Sequence, residues 1–246
     1  MKRILSMGLA LLMLLSAVCI PVSASTPESH TYDHEGYIRP GDKFCPYDAL
    51  TRAEMVCLLY RMLDDEQKRD SFVGYDCKFT DVGIPQNSWY GLALMNLDLL
   101  GIVKGYEDGT FRPNQPVSRA EFVVLLSRVH ELEAGEKSFP DVPKTHWAYD
   151  AIAAAGAAGW INGYEDGTFR PNQSVKRIEA VKMINNMLGW SCDRDFVDNE
   201  KHLSGFEFED LERGSWEYYE VMEASLSHNC IHENGKEIWT KAAVAA

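Results

Sequence analysis

The chain has 246 residues, with 37 acidic against 24 basic side chains and a formal charge of −13. A chain this acidic makes a poor partner for nucleic acid. It also repels anionic polymers at long range, so any anion site must be built from local cations. The length allows one or two domains with substantial cores.

Residues 1–24 read as a secretory signal peptide. Met1, Lys2 and Arg3 form a basic start. An apolar run from Ile4 to Ile20 follows, broken only by Ser6, Gly8 and Ser16. Val22 and Ala24 then place small residues at −3 and −1 of a cleavage site, a signature that favours a signal over a retained anchor. Cleavage after Ala24 would leave 22 basic against 37 acidic side chains, a formal −15. No later stretch is long and apolar enough for a membrane span, so the expected product is exported. Cys19 leaves with the signal, and Cys45, Cys57, Cys77, Cys192 and Cys230 remain. Export permits disulfides. No Cys-x-x-Cys pair supports a zinc or thioredoxin-type site. Cys57 lies on an apolar helical stripe and reads as a buried thiol; how the other four pair is left open.

After a linker at 25–36, residues 37–63 carry Asp42-Lys43-Phe44-Cys45-Pro46 and then Thr51-Arg52-Ala53-Glu54. Met55, Val56, Leu58, Leu59, Met62 and Leu63 follow at helical spacing. A linker at 64–78 leads to a longer unit at 79–130. It opens with Phe79-Thr80-Asp81-Val82, and a helix is expected from Trp89 to Leu100, stopping at Gly101. The loop Gly105-Tyr106-Glu107-Asp108-Gly109-Thr110-Phe111-Arg112-Pro113-Asn114-Gln115 comes next. Ser118-Arg119-Ala120-Glu121 then opens a second helix with a stripe of Phe122, Val123, Leu125, Leu126 and Val129.

The loop recurs residue for residue at Gly163 through Gln173, inside a second unit at 139–188. There Phe139-Pro140-Asp141-Val142 leads to a helix from about Trp147 to Ala158. Lys176-Arg177-Ile178-Glu179 opens a helix striped by Ile178, Val181, Ile184, Met187 and Leu188. Beyond a linker at 189–206, residues 207–230 repeat the early half alone. Phe208-Glu209-Asp210-Leu211 precedes a helix expected from Ser215 to about His228, ending at Asn229; 231–246 reads as a tail. One late half-unit, two whole units and one early half-unit sum to three. The terminal halves are expected to pack together and complete a pseudo-threefold domain, its three apolar stripes buried against one another.

Thr51 with Glu54, and Ser118 with Glu121, have the spacing of a capping box, which accounts for them structurally. Lys176 breaks that pattern in the third copy. Capping does not require the arginine between, and the helix dipole slightly disfavours it there. Yet Arg52, Arg119 and Arg177 stand at one place in all three units. Taken as exposed first-turn side chains, they read either as surface ion pairs or as an anion site beside free N–H groups. Trp89, Trp147 and Trp216 also match one another, and read either as core or as rings open for stacking on a sugar face. The loop acids invite a calcium reading, but the twelfth position of an EF-hand loop would fall on Gln115, not Glu. A turn using Gly109 explains the loop better. His228, Cys230 and His232 are a weak metal signal. No nucleophile elbow, zinc-protease motif or phosphate loop is present, and the repeated acids do not form a single acid/base pair.

The motif set resembles S-layer homology repeats. Its carriers are Phe-x-Asp-Val, Gly-Tyr-x-Asp-Gly-Thr-Phe-Arg-Pro and Thr-Arg-Ala-Glu, and coverage runs from about Tyr37 to His228. The resemblance implies an all-α, three-pronged spindle around a three-helix bundle. It further implies a non-catalytic cell-wall anchor, without cofactor, binding pyruvylated wall polysaccharide in grooves between units and often carrying cargo. The positions it implicates are Arg52, Arg119 and Arg177 with Trp89, Trp147 and Trp216, joined by Asp81, Asp141, Asp210, Gly105 and Gly163. Cys45 departs from the arginine held by Arg112 and Arg170. An adaptor that binds other proteins is the alternative function.

Overall fold

The computed structural model describes residues 43–63, 67–69, 75–83, 87–199, 208–233 and 236–243, with backbone alone for 227–233, 237 and 240–243. The expected signal peptide at 1–24 and linker at 25–36 lie outside the described residues. Seven helices and one hairpin are described: α1 (Arg52–Arg61), α2 (Gly91–Leu99), α3 (Arg119–Val129), α4 (Tyr149–Ala157), α5 (Arg177–Leu188), α6 (Arg194–Asn199), α7 (Trp216–Ser225), β1 (Ser227–Glu233) and β2 (Lys236–Ala243). The domain is helical, as the repeats imply.

The second helices start where their caps place them. Thr51 Oγ1 accepts from the N–H of Glu54 at 3.3 Å, and Glu54 Oε2 accepts from the N–H of Thr51 at 2.6 Å. Ser118 and Glu121 repeat both bonds, at 3.2 and 2.8 Å. Lys176 has no side-chain acceptor, so only half the box survives: its N–H donates to Glu179 Oε2 at 3.0 Å. The first helices begin two residues after Trp89 and Trp147, so both tryptophans stand in the preceding turns rather than inside the helices.

Packing is cyclic. Each first helix lies on the second helix of the unit before it: α2 on α1, α4 on α3 and α7 on α5. On the pseudo-threefold axis three matched residues, fully buried, exchange backbone bonds in a closed ring. Leu50 N–H donates to Val175 C=O, Val175 N–H to Val117 C=O and Val117 N–H to Leu50 C=O, each at 2.9 Å. Phe44, Phe111 and Phe169 lie fully buried around it. The terminal halves meet in the remaining unit, which holds Phe44 and α1. Asp210 accepts from the N–H groups of Phe44 and Cys45 at 2.7 Å each, and the Phe208 ring meets Phe44 edge-on at 5.8 Å.

Two features differ from the sequence reading. The last first-helix stops at Ser225, not His228, and the chain turns into the antiparallel hairpin β1–β2 with a bulge at Asn229/Cys230. Hairpin and α6 form a small accessory packing unit. Trp239 is buried against Phe196, 5.8 Å between centroids. Asp193 joins the two by accepting from the N–H of Phe196 and of Trp239. Second, the arginines are not surface groups. Arg52, Arg119 and Arg177 are 6 %, 3 % and 1 % exposed. The first turn of each second helix is pressed against the loop of the next unit round the ring, so a first-turn side chain there faces protein. Cys57 is buried, as its stripe implied, and burial pushes its thiol up to about 12. Cys57, Cys77 and Cys192 form no disulfide.

The arginine at the tightest contact should therefore carry stability. Arg177→Ala removes the partner of Glu54, itself 2 % exposed. Stranding a buried carboxylate should cost about 3–5 kcal/mol. Urea unfolding of Arg177→Ala against the unsubstituted chain reads this; an unchanged midpoint would overturn it.

Candidate functional site

Each arginine sits at a junction between units and makes the same three kinds of contact. Arg52 Nε donates to the Phe111 carbonyl at 2.6 Å. Its guanidinium carbon lies 4.7 Å from the Tyr106 centroid and 5.0 Å from that of Phe111, and Nη1 is 3.7 Å from Glu121 Oε1. Arg119 repeats this one unit on, with Phe169 O at 2.8 Å, Tyr164 and Phe169 both at 4.7 Å, and Glu179 Oε2 at 3.2 Å. Arg177 closes the circle onto the first unit, with Phe44 O at 2.9 Å, the Phe44 ring at 5.6 Å and Glu54 Oε1 at 2.9 Å. The glutamates that cap the helices thus also hold the arginines, a double role that the capping-box spacing alone does not disclose.

Sequence reasoning passed over two further residue pairs. Tyr106 Oη donates to Glu121 Oε1 at 3.3 Å and accepts from Gln115 Nε2 at 3.0 Å. Tyr164 Oη donates to Glu179 Oε1 at 2.7 Å and accepts from Gln173 Nε2 at 3.1 Å. Burial pushes both phenols up. The signal was present in the sequence, since both pairs recur in the identical loops. The third junction is built differently. Tyr47 is exposed and donates to Glu217 Oε1 at 2.6 Å, with Lys176 Nζ 5.4 Å from its ring.

Asp81, Asp141 and Asp210 act on the loops from within. Asp81 accepts from the N–H groups of Phe111 and Arg112, both at 2.7 Å, and Asp141 from those of Phe169 and Arg170 at 2.8 and 2.6 Å. Two successive N–H groups aimed at one carboxylate form an anion cradle. The cradle requires a left-handed residue, and the φ values are 59° at Arg112, 57° at Arg170 and 55° at Cys45. That conformation costs a non-glycine residue about 1–2 kcal/mol, which the two charge-assisted bonds offset. Gly105 is required by close approach: at φ 71° a Cβ would lie 2.5 Å from the Phe79 ring and 2.9 Å from the Thr110 carbonyl. Gly163 meets the matching Thr168 carbonyl at 3.0 Å.

The three tryptophans are exposed, at 52 % for Trp89, 63 % for Trp147 and 43 % for Trp216. Core packing, one of their two readings, is ruled out. Their ring partners are Tyr90, His146 and Lys182, the last with Nζ at 4.9 Å, so none stacks on a junction arginine. An aromatic face in water at the same place in each unit offers a stacking surface.

The loop aspartates, Asp108 and Asp166, are spent internally. Asp108 Oδ1 accepts from Thr110 Oγ1 and N–H at 2.6 and 3.0 Å, and Oδ2 from Arg112 Nη2 at 2.7 Å. Asp166 repeats all three with Thr168 and Arg170. Among the described residues no group of His, Cys, Asp and Glu could hold a metal ion; the side chains of His228, Cys230 and His232 lie outside them. The threonine bonds, with the arginine bonds beside them, hold both carboxyls down to about 2. A depressed value means the staple is complete above the ordinary aspartate range near ~4 and is lost as pH falls through about 2. Carboxyl-carbon NMR titration should find both midpoints near 2, and added calcium should leave the spectra unchanged. Midpoints near ~4 would refute the staple.

The sequence profile of the S-layer homology domain matches residues 78–123 and 138–181. Cell surface glycoprotein 1 of Acetivibrio thermocellus is 28 % identical over 236 residues, covering 90 % of this chain and 10 % of that protein. The Cellulosome-anchoring protein of the same organism is 31 % identical over 229 residues, covering 89 % and 47 %. An Endoglucanase of a Bacillus species is 34 % identical over 119 residues, covering 48 % and 12 %. The chain thus spans from a tenth to just under half of the length of these relatives. The matched segments hold the loop, the capped arginine helix and the Phe-x-Asp clasp whose geometry closes the ring, and the chain belongs to the S-layer homology family.

Proposed function

We propose that the protein is a non-catalytic anchor at a bacterial cell surface, holding itself, and any cargo attached to it, non-covalently on wall polysaccharide. The observation that carries this reading is the matched exposure of Trp89, Trp147 and Trp216 on a rigid cyclic scaffold. Single exposed apolar side chains are common, but three aromatic faces open at one repeated position suit stacking on a repeating polymer. Of the junction arginines, Arg52 and Arg119 hold the longer pairings with the more exposed glutamates, and a pyruvyl carboxylate would be taken there by displacing those glutamates; Arg177 is committed to the buried Glu54. The names of relatives as cell-surface and anchoring proteins support the setting. The Endoglucanase match covers only 12 % of that protein, which fits a shared attachment region rather than shared catalysis.

An adaptor role has its own observation. Leu92 and Leu99 on α2 and Leu100 at its C-cap are exposed, where α4 carries Asp150 and Ala157 at the first two matched places. Sedimentation with purified walls separates the readings. The chain should co-sediment and should be released when the pyruvyl groups are removed chemically. Trp147→Ala should weaken binding about tenfold while the melt is unchanged, because so exposed a ring contributes little to the core. Full retention on stripped walls would leave the adaptor reading standing instead.

A further inference from the structure

The three first helices have matched outer faces, and the fold treats each differently. Counted from the matched tryptophans, the places three and ten residues on are Leu92 and Leu99 on α2, Asp150 and Ala157 on α4, and Tyr219 on α7 with Leu226 at its C-cap. On α4 both places are exposed, and a carboxylate and a methyl group suit water. On α7 both are buried, Tyr219 to 7 % and Leu226 to 5 %. There α6 supplies a cover: Tyr219 Oη donates to Asp198 Oδ2 at 2.7 Å, and the Arg194 guanidinium carbon lies 4.7 Å from the Tyr219 centroid. On α2 both places are leucine, as apolar as the covered face, yet Leu92 is 43 % and Leu99 46 % exposed, with Leu100 beside them at 39 %.

The chemistry of that face narrows what can cover it. Asp98, the only ionisable residue of α2, is already engaged: Oδ2 accepts from Tyr75 Oη at 2.8 Å, and Oδ1 pairs with Lys78 Nζ. Asn96 is buried and bonded to the backbone of Arg69 and of Leu92. The strip of leucines therefore has no charge and no side-chain hydrogen bond to offer, so a sugar or a charged peptide finds no polar partner on it. An uncharged apolar helix face suits it, and α2 itself presents one. Leu92 and Leu99 stand seven residues apart, two turns or about 10 Å along one side of the helix. Turned end for end about a two-fold axis, such a pair meets itself, Leu92 over Leu99 of the second copy and Leu99 over its Leu92.

We propose that the outer face of α2 is a self-association surface, on which a second copy of this chain seats its own α2 antiparallel across a two-fold axis. Three leucines a side bury far less than the roughly 1,200 Å² of a stable complex, so the dimer is weak and forms where the chain is concentrated. Each copy carries a formal −13, and the two bodies repel. Salt screens that repulsion and leaves the apolar contact in place, so the dimer tightens as ionic strength rises. No glycan contact enters, and the surface is independent of the anchor reading.

Sedimentation equilibrium of the exported chain tests this. The weight-average mass should climb from one copy toward two as the chain approaches about 1 mM, and further in about 0.5 M salt than in about 0.05 M. Leu92→Asp with Leu99→Ala gives α2 the residues that α4 carries. That double variant should weaken the dimer at least about tenfold with an unchanged melt, because exposed side chains contribute little to the fold. Mixing reads the register. Leu92→Lys alone and Leu99→Asp alone should each be monomeric. Their equimolar mixture should dimerise, since the antiparallel pairing sets the new ammonium against the new carboxylate. An unsubstituted chain that stays monomeric at the highest of these concentrations would overturn the proposal and leave the face to another protein or to the chain's own residues. A dimer untouched by the double substitution, a dimer that salt dissociates, or a mixture that stays monomeric would overturn it as well.

Discussion

The structure depends on three guanidinium groups that each reach from one unit into the next. An arginine at the start of a second helix donates to the loop carbonyl of the following unit and faces that unit's capping glutamate. Because the chain holds three units, the links close: Arg52 to the second, Arg119 to the third, Arg177 back to the first. Burying an ion pair is expensive, and a well-packed apolar replacement can be as stable. What the apolar replacement cannot do is dictate which unit meets which. A buried charge tolerates only its partner, so these pairs suit fixing register round a pseudo-threefold axis where apolar stripes alone would permit slippage.

The loops show how that ring is kept stiff. A loop residue in the left-handed region carries strain, and Asp81, Asp141 and Asp210 offset it by accepting its N–H and the preceding one. The same bond ties the loop to the turn that precedes the first helix of its unit. In two loops a second staple, Asp108 or Asp166 with its threonine and arginine, rigidifies the tip. Cys45 stands where an arginine would complete a third staple, and Tyr47 bonds instead to Glu217 of α7. The unit assembled from the chain ends thus keeps the clasp that holds its halves together, with Cys45 in place of the staple arginine. Rigid elements presenting exposed rings are what a weak, repeated stacking contact needs, since little ordering entropy is then left to lose on binding.

Local patterns were legible in the amino-acid order because they are set by local physics. Helix caps, the stop of α2 at Gly101, the glycine turns and the three apolar stripes all follow from spacing. So did the count of three units, since two identical loops and matched flanks define the period and the terminal halves supply the remainder. The positions of Arg52, Arg119, Arg177 and the tryptophans could be picked out as residues that capping and core formation do not demand.

Only the tertiary structure decided what those residues face. Whether a first-turn arginine meets water or protein depends on a loop 59, 50 or 133 positions away, and helical spacing carries no information on that distance. Burial of all three arginines and exposure of all three tryptophans therefore emerged only when the ring closed. The accessory hairpin escaped the sequence because its strands bury Trp239 against Phe196, a contact no repeat announces. The unequal junctions escaped it for a related reason. The three arginine–glutamate pairs differ in separation and burial, and those differences are set across the interface rather than along the chain.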